Sequence, residues 1–303
     1  MIVRPRLHWF RMLFVLRGSV LPEILPQLLL TMAFAVMVTL AHGRLFAWKV
    51  SLNFVPFSLI GLTLAIFLGF RNSTSYARYW EARVLWGGVL NQTRSLARQA
   101  LTVVDDPMPA KAFVYRLIAF VHALRHQLRG TDASDDLACW LESADRARLE
   151  GLRFQPAMLL LMAGEWMRER RREGVLAPAL AQTMETHLGY LTDMLGGCER
   201  IAGTPIPFTY AVIIHRTVYL YCLLLPFGLV DSIGLMTPVV VTFIAYTFFA
   251  LEALSAEIEE PFGTDANDLP LNAMSESIQA SLLEMLGERA LPPINEPQNY
   301  LLI

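Results

Sequence analysis

Charge is scarce in this sequence. Only 17% of its 303 residues are charged and 54% are hydrophobic, against roughly 25% charged in an ordinary soluble domain. That excludes a disordered or highly solvated chain. Lysine is almost missing: Lys49 and Lys111 are the only two among 25 basic residues. The three cysteines, Cys139, Cys198 and Cys222, form no C-x-x-C pair, which argues against a disulfide framework or a zinc site. There is no Walker A loop, no G-x-G-x-x-G and no G-x-S-x-G elbow, so the nucleotide-dependent and hydrolytic classes built on those turns find no support. Nothing points to nucleic-acid binding or to an enzyme.

What the chain does have is apolar length, with a mean hydropathy of +0.42. Residues 24–41 form 18 consecutive positions without charge, long enough to span a bilayer. The Ala41-His42-Gly43 sequence loosely suits a signal-peptide cleavage site, but the basic lead from Arg4 to Arg17 is too long for one and a second apolar run follows at once. That run, 54–70, would reach about 25 Å as a helix. Two further runs, 206–230 and 233–251, flank a turn at Asp231-Ser232-Ile233-Gly234. Four spans are expected.

The formal net charge of −2 hides a gradient. Residues 1–100 carry 11 bases against 2 acids, residues 101–204 carry 12 against 14, and residues 205–303 carry 2 against 11. By the positive-inside bias, the N-terminus and the region after residue 70 lie in the cytoplasm, and so do both chain ends. Between 103 and 202 the pattern is that of soluble amphipathic helices without a sheet, broken at Thr131–Asp136 and again from Glu173-Gly174 to Pro178. Gly203-Thr204-Pro205-Ile206-Pro207 leads back to the membrane. A last helix is expected over Met274–Glu288, followed by an extended or mobile Pro-rich tail. The resulting organisation is a basic arm (1–20), a first transmembrane hairpin with a cytosolic extension (21–102), a cytosolic helical region (103–204), a second hairpin (205–251) and an acidic post-span segment with a final helix (252–303).

Several constellations could carry function. Leu62, Ile66 and Phe70 fall at i, i+4 and i+8, on one face of a helix. Beside them Gly61, Ala65 and Gly69 repeat that spacing with small residues, which lets neighbouring helices approach closely. A ring of such helices would turn the bulky stripe into a hydrophobic constriction that gates by dewetting; facing lipid or another helix is the alternative. The segment Arg71–Arg83, rich in arginine and aromatics, reads as an interfacial belt. Arg216, inside the third span, must snorkel, pair or face water. Ile258–Leu271 gathers oxygen donors that suit a calcium-like cation or a structural contact with the basic arm. His122 and His126, spaced i, i+4 without the glutamate of H-E-x-x-H, read as a soluble helix face.

Taken jointly, Phe70-Arg71-Asn72-Ser73, Tyr79-Trp80-Glu81-Ala82-Arg83, Leu85-Trp86-Gly87 and the Ile258–Leu271 segment resemble the bestrophin family in its bacterial branch. Arg17-Gly18-Ser19-Val20 and Ile206-Pro207-Phe208-Thr209-Tyr210 fit as well. The resemblance implies an all-α membrane protein: a homopentamer in the bacterial plasma membrane, four spans per subunit, a large helical cytosolic portion and one pore on the five-fold axis. It places the pore neck at Leu62, Ile66 and Phe70, and a second constriction at Leu180, for which packing is the alternative. Animal members bind calcium in the acidic loop; Asp265 and Asp268 match two side-chain ligands, whereas Thr264, Ala266 and Asn267 depart from the acidic pattern. Animal members pass chloride and some bacterial members prefer monovalent cations, so the sign of the ion stays open. A secondary transporter, or a membrane-anchored assembly protein without conduction, are the competing readings.

Overall fold

The computed structural model describes residues 1–45, 48–49, 52, 54–104, 110–289, 291–293 and 295–303. The chain is helical: α1 (Trp9–Met12), α2 (Leu21–Leu40), α3 (Phe54–Thr102), α4 (Ala110–Arg129), α5 (Ser134–Trp140), α6 (Ser143–Leu149), α7 (Gln155–Arg172), α8 (Pro178–Gly203), α9 (Phe208–Ile233), α10 (Thr237–Glu259) and α11 (Leu271–Met285). Among the described residues the only ladder pairs β1 (Arg44–Leu45) with β2 (Trp48–Lys49), antiparallel.

Helix boundaries follow ordinary rules. Pro22, Pro156, Pro178 and Pro238 sit at the first turns of α2, α7, α8 and α10, where a missing N–H costs nothing. Arg170, Arg171 and Arg172 close α7 against its negative end. The break between α9 and α10 falls at Gly234–Met236, slightly later than the turn expected at Asp231–Gly234. Gly234 adopts φ +53°, a backbone state in which a Cβ is strained. Pro226 lies inside α9 and leaves the Cys222 carbonyl without its usual intrahelical donor.

The chain divides into two compact units. The first comprises Arg4–Tyr79 and Pro205–Glu260. Its core joins Phe57, Leu64 and Leu68 of α3 to Val218, Tyr221 and Leu225 of α9 and to Val241, Phe248 and Phe249 of α10, while α2 packs against α9 and α10. Lys49 pairs with Asp231 at 2.9 Å. By length and composition three stretches are apolar enough to cross a membrane: Leu21–Leu40, Val55–Thr102 and Phe208–Glu259, the last being α9 and α10 with the short turn between them.

The second unit comprises Met1–Val3, Trp80–Thr204 and Pro261–Ile303. Its centre is α4, nearly every apolar side chain of which is buried; Phe113 lies 4.5 Å from the Trp166 ring of α7. His122 is buried too and meets Gln279 of α11 at 2.7 Å, so the face holding His122 is an interior face, not a solvated one. Charge does not predict this, because neutral imidazole with a hydrogen-bond partner is tolerated inside. Lys111 pairs with Glu288 at 2.7 Å. The tail is not free: the Val3 N–H donates to Tyr300 O at 2.8 Å and the Leu302 N–H to Met1 O at 2.9 Å. Backbone pairing of this kind leaves no mark in side-chain pattern.

Candidate functional site

The α3 stripe projects away from the core that anchors its opposite face. Leu62, Ile66 and Phe70 are 61, 50 and 64% exposed in the single chain, whereas Leu64 and Leu68, two residues out of phase, are buried. The three side chains rise over about 12 Å of helix. The small residues are not equivalent. A Cβ on Gly61 would lie 2.6 Å from Tyr221 Oη of α9, while one on Gly69 would meet nothing within 4 Å. Ala65 is exposed. Gly61 therefore seats α3 on α9 within the subunit, and Ala65 and Gly69 remain open.

Below the stripe, the segment read as an interfacial belt is a lock onto α10. Arg71 is buried and lies 3.6 Å from Glu259. The Asn72 amide donates to the Leu251 carbonyl at 3.1 Å, the Ser75 and Ser255 hydroxyls meet at 3.1 Å, and Arg78 Nε donates to the Glu259 carbonyl at 3.2 Å. The Glu259 carboxylate also accepts the Ile206 N–H at 3.0 Å, tying down the chain just before α9. The sequence places Glu259 in the acidic post-span segment but does not show its partners, Arg71 and the Ile206 N–H. Its signal was the pairing of basic residues below one span with acids below another, without a register to match them.

Leu180 lies in the first turn of α8, 41% exposed, with its N–H bonded to Ala177 O at 3.0 Å. The helix start fixed by Pro178 presents it outward.

Asp265 and Asp268 lie in the loop before α11. The Asp265 N–H donates to Asp268 Oδ2 at 2.7 Å, so that carboxylate is turned onto its own backbone. Arg129 of α4 clamps the same loop, donating to the carbonyls of Phe262 and Gly263, both at 3.1 Å, and to Asn272 Oδ1 at 2.7 Å. Burial, then the neighbouring Arg125, hold the Arg129 guanidinium below its ordinary pKa, and Asp268 opposes them. Calcium requires six or more oxygens. Here two loop carbonyls already face a guanidinium, and among the described residues no three acidic, histidine or cysteine side chains are placed to hold a metal ion. Within the chain, Arg129 holds this loop.

Residues 1–284 match the family described as Bacterial/Fungal Bestrophin protein. The chain belongs to the bestrophin family. This bestrophin is 52% identical over 294 residues to a voltage-dependent anion channel-forming protein of Ralstonia nicotianae, covering 96% of each chain. It is 43% identical over 292 residues to a protein of the same description from Escherichia coli, again covering 96% of each. Among solved structures, the crystal structure of a bacterial bestrophin homolog from Klebsiella pneumoniae aligns with a TM-score of 0.85 at 43% identity, over 88% of this chain and 99% of that one. The helical fold and the apolar helices agree with membership in a family of membrane proteins.

Proposed function

We propose that this bestrophin is an ion channel of the plasma membrane, a homopentamer with four spans per subunit (α2, the first half of α3, α9 and α10) and both chain ends in the cytoplasm. The neck is the ring formed by Leu62, Ile66 and Phe70 around the five-fold axis, with Leu180 as a second constriction toward the cytosol. The observation that carries this reading is the exposed, uninterrupted apolar stripe on a helix whose opposite face is packed. A narrow apolar ring excludes ions by favouring an empty pore over a wet one. Ala65 and Gly69, open in the single chain, provide the close approach that such a ring needs, while Gly61 packs α3 onto α9.

The permeant species is a small monovalent ion. The names of the relatives, anion channel-forming proteins, favour an anion; the neck is uncharged and adds nothing to the sign. The test is a planar-bilayer recording with purified protein in asymmetric chloride salt. A reversal potential near the chloride equilibrium value is the expected result; one near the cation value would reverse the sign. The triple variant L62A/I66A/F70A is expected to raise conductance severalfold, and unchanged current would remove these residues from the pathway.

A further inference from the structure

The membrane-type unit holds a second feature, unrelated to the stripe. A cavity of about 490 Å³ opens between α2, α3, α9 and α10. Glu23 is in the first turn of α2, Arg216 lies eight residues into α9, about 12 Å along it, and Glu252 lies seven residues before the end of α10. All three helix ends concerned are those that the charge distribution assigns to the cytoplasmic side.

These groups do not satisfy one another. Glu252 is taken by His215, whose Nδ1 lies 2.6 Å from Oε1. Arg216 is exposed, lines the cavity and has no ion-pair partner among the described residues, and the same holds for Glu23. Arg71 lines the cavity while 5% exposed, and its buried Nε donor meets no acceptor among the described residues. A buried guanidinium donor without an acceptor is costly in any setting and more so near hydrocarbon. The cavity thus presents one cation without an ion-pair partner, Arg216, a second, Arg71, that pairs with Glu259 yet keeps a buried Nε donor without an acceptor, and on the facing helix a carboxylate, Glu23, without a cation. Apart from Gln27 and Tyr219, the rest of its wall is apolar, with Ile24, Val212 and Phe249.

We propose that this cavity binds a zwitterionic phospholipid headgroup of the cytoplasmic leaflet, a phosphodiester carrying a primary amine. The phosphate is held by Arg216 and Arg71 through charge-assisted hydrogen bonds, the ammonium by Glu23, and the acyl chains leave along the apolar wall. A lipid fits better than a soluble phosphate because the cavity opens within the apolar unit and pairs both signs of charge.

The test uses the full-length protein in detergent, titrated by native mass spectrometry with phosphatidylethanolamine, with phosphatidylglycerol, and with soluble phosphoethanolamine. The expected result is saturable binding of phosphatidylethanolamine, at least tenfold tighter than phosphatidylglycerol or the soluble headgroup. R216A should weaken it about tenfold, and V212W, which fills the cavity without touching a charge, should abolish it. Thermal unfolding of each variant establishes that it is folded; if R216A is not, V212W decides. Equal affinity for both lipids, equal binding of the soluble headgroup, or wild-type lipid affinity in V212W would each overturn the proposal.

Discussion

Arg71 and Glu259 face each other 3.6 Å apart with little of either side chain exposed, and the same glutamate receives the Ile206 N–H. Removing one member of a buried pair leaves the other charge uncompensated, at a cost of about 3 kcal/mol. Glu259→Ala should therefore lower the denaturation midpoint of the purified protein markedly. Glu259→Gln, which keeps an acceptor for Ile206, should fall between it and wild type. Equal loss in the two variants would show that charge alone matters there.

Gly61 abuts Tyr221, a ring held between Phe57 and Phe248. Because that ring cannot swing away freely, Gly61→Ala should cost about 1–3 kcal/mol by overpacking. Removing the clashing hydroxyl should recover part of the loss, so G61A/Y221F is expected to be more stable than G61A in a thermal melt. An additive double variant would contradict the contact.

The pH dependence of stability has a defined contribution from α4. Burial pushes the His122 imidazole below its ordinary value of 6.5, and the charges of Arg125 and His126 act the same way, while Gln279 and Asp136 oppose them. The unfolded chain then binds a proton that the folded chain refuses, so stability rises with pH in this window. The contribution is complete above pH 6.5 and is lost as pH falls below it. Unfolding curves taken from pH 8 down to about pH 5 should show a shallower decline for His122→Gln than for wild type. Asp136 titrates lower: burial raises it, but His126, His122 and Arg125 together hold it below the usual carboxylate range.

Arg129 does in the acidic loop what a bound cation would do, with a planar fork that lysine cannot reproduce. Arg129→Ala and Arg129→Lys should both loosen residues 261–270, read as faster proteolysis there and a loss of about 2 kcal/mol for Ala. Adding calcium or a chelator should leave the wild-type melting temperature unchanged. A rise of several degrees with calcium would restore the loop as a metal site.

The sequence made some features legible and hid others, for physical reasons. Charge-free runs such as 24–41 permit few states besides an apolar helix, and α2, α9 and α10 lie where such runs do. The stripe at Leu62, Ile66 and Phe70 is visible because its period belongs to the helix itself. The partners of Arg71, Asn72 and Arg78 lie about 180 residues away in α10, and no local pattern encodes that register. The segment looked like a generic belt for that reason. Arg129 was invisible on similar grounds: a basic residue at the end of α4 reads as favourable to the helix dipole, and its second use on the 262–263 carbonyls comes only with tertiary structure. The cavity beside Arg216 required four helices to be placed at once.

The near-absence of lysine has a practical side. Lys49, paired with Asp231, and Lys111, paired with Glu288, are half-exposed, and in the proposed topology they stand on opposite faces of the bilayer. A membrane-impermeant amine reagent thus has one side-chain target per face. Peptide mapping after labelling sealed vesicles of known orientation should show Lys49 modified from outside and Lys111 only after the membrane is inverted or opened, so the native chain reports its own sidedness without an engineered tag.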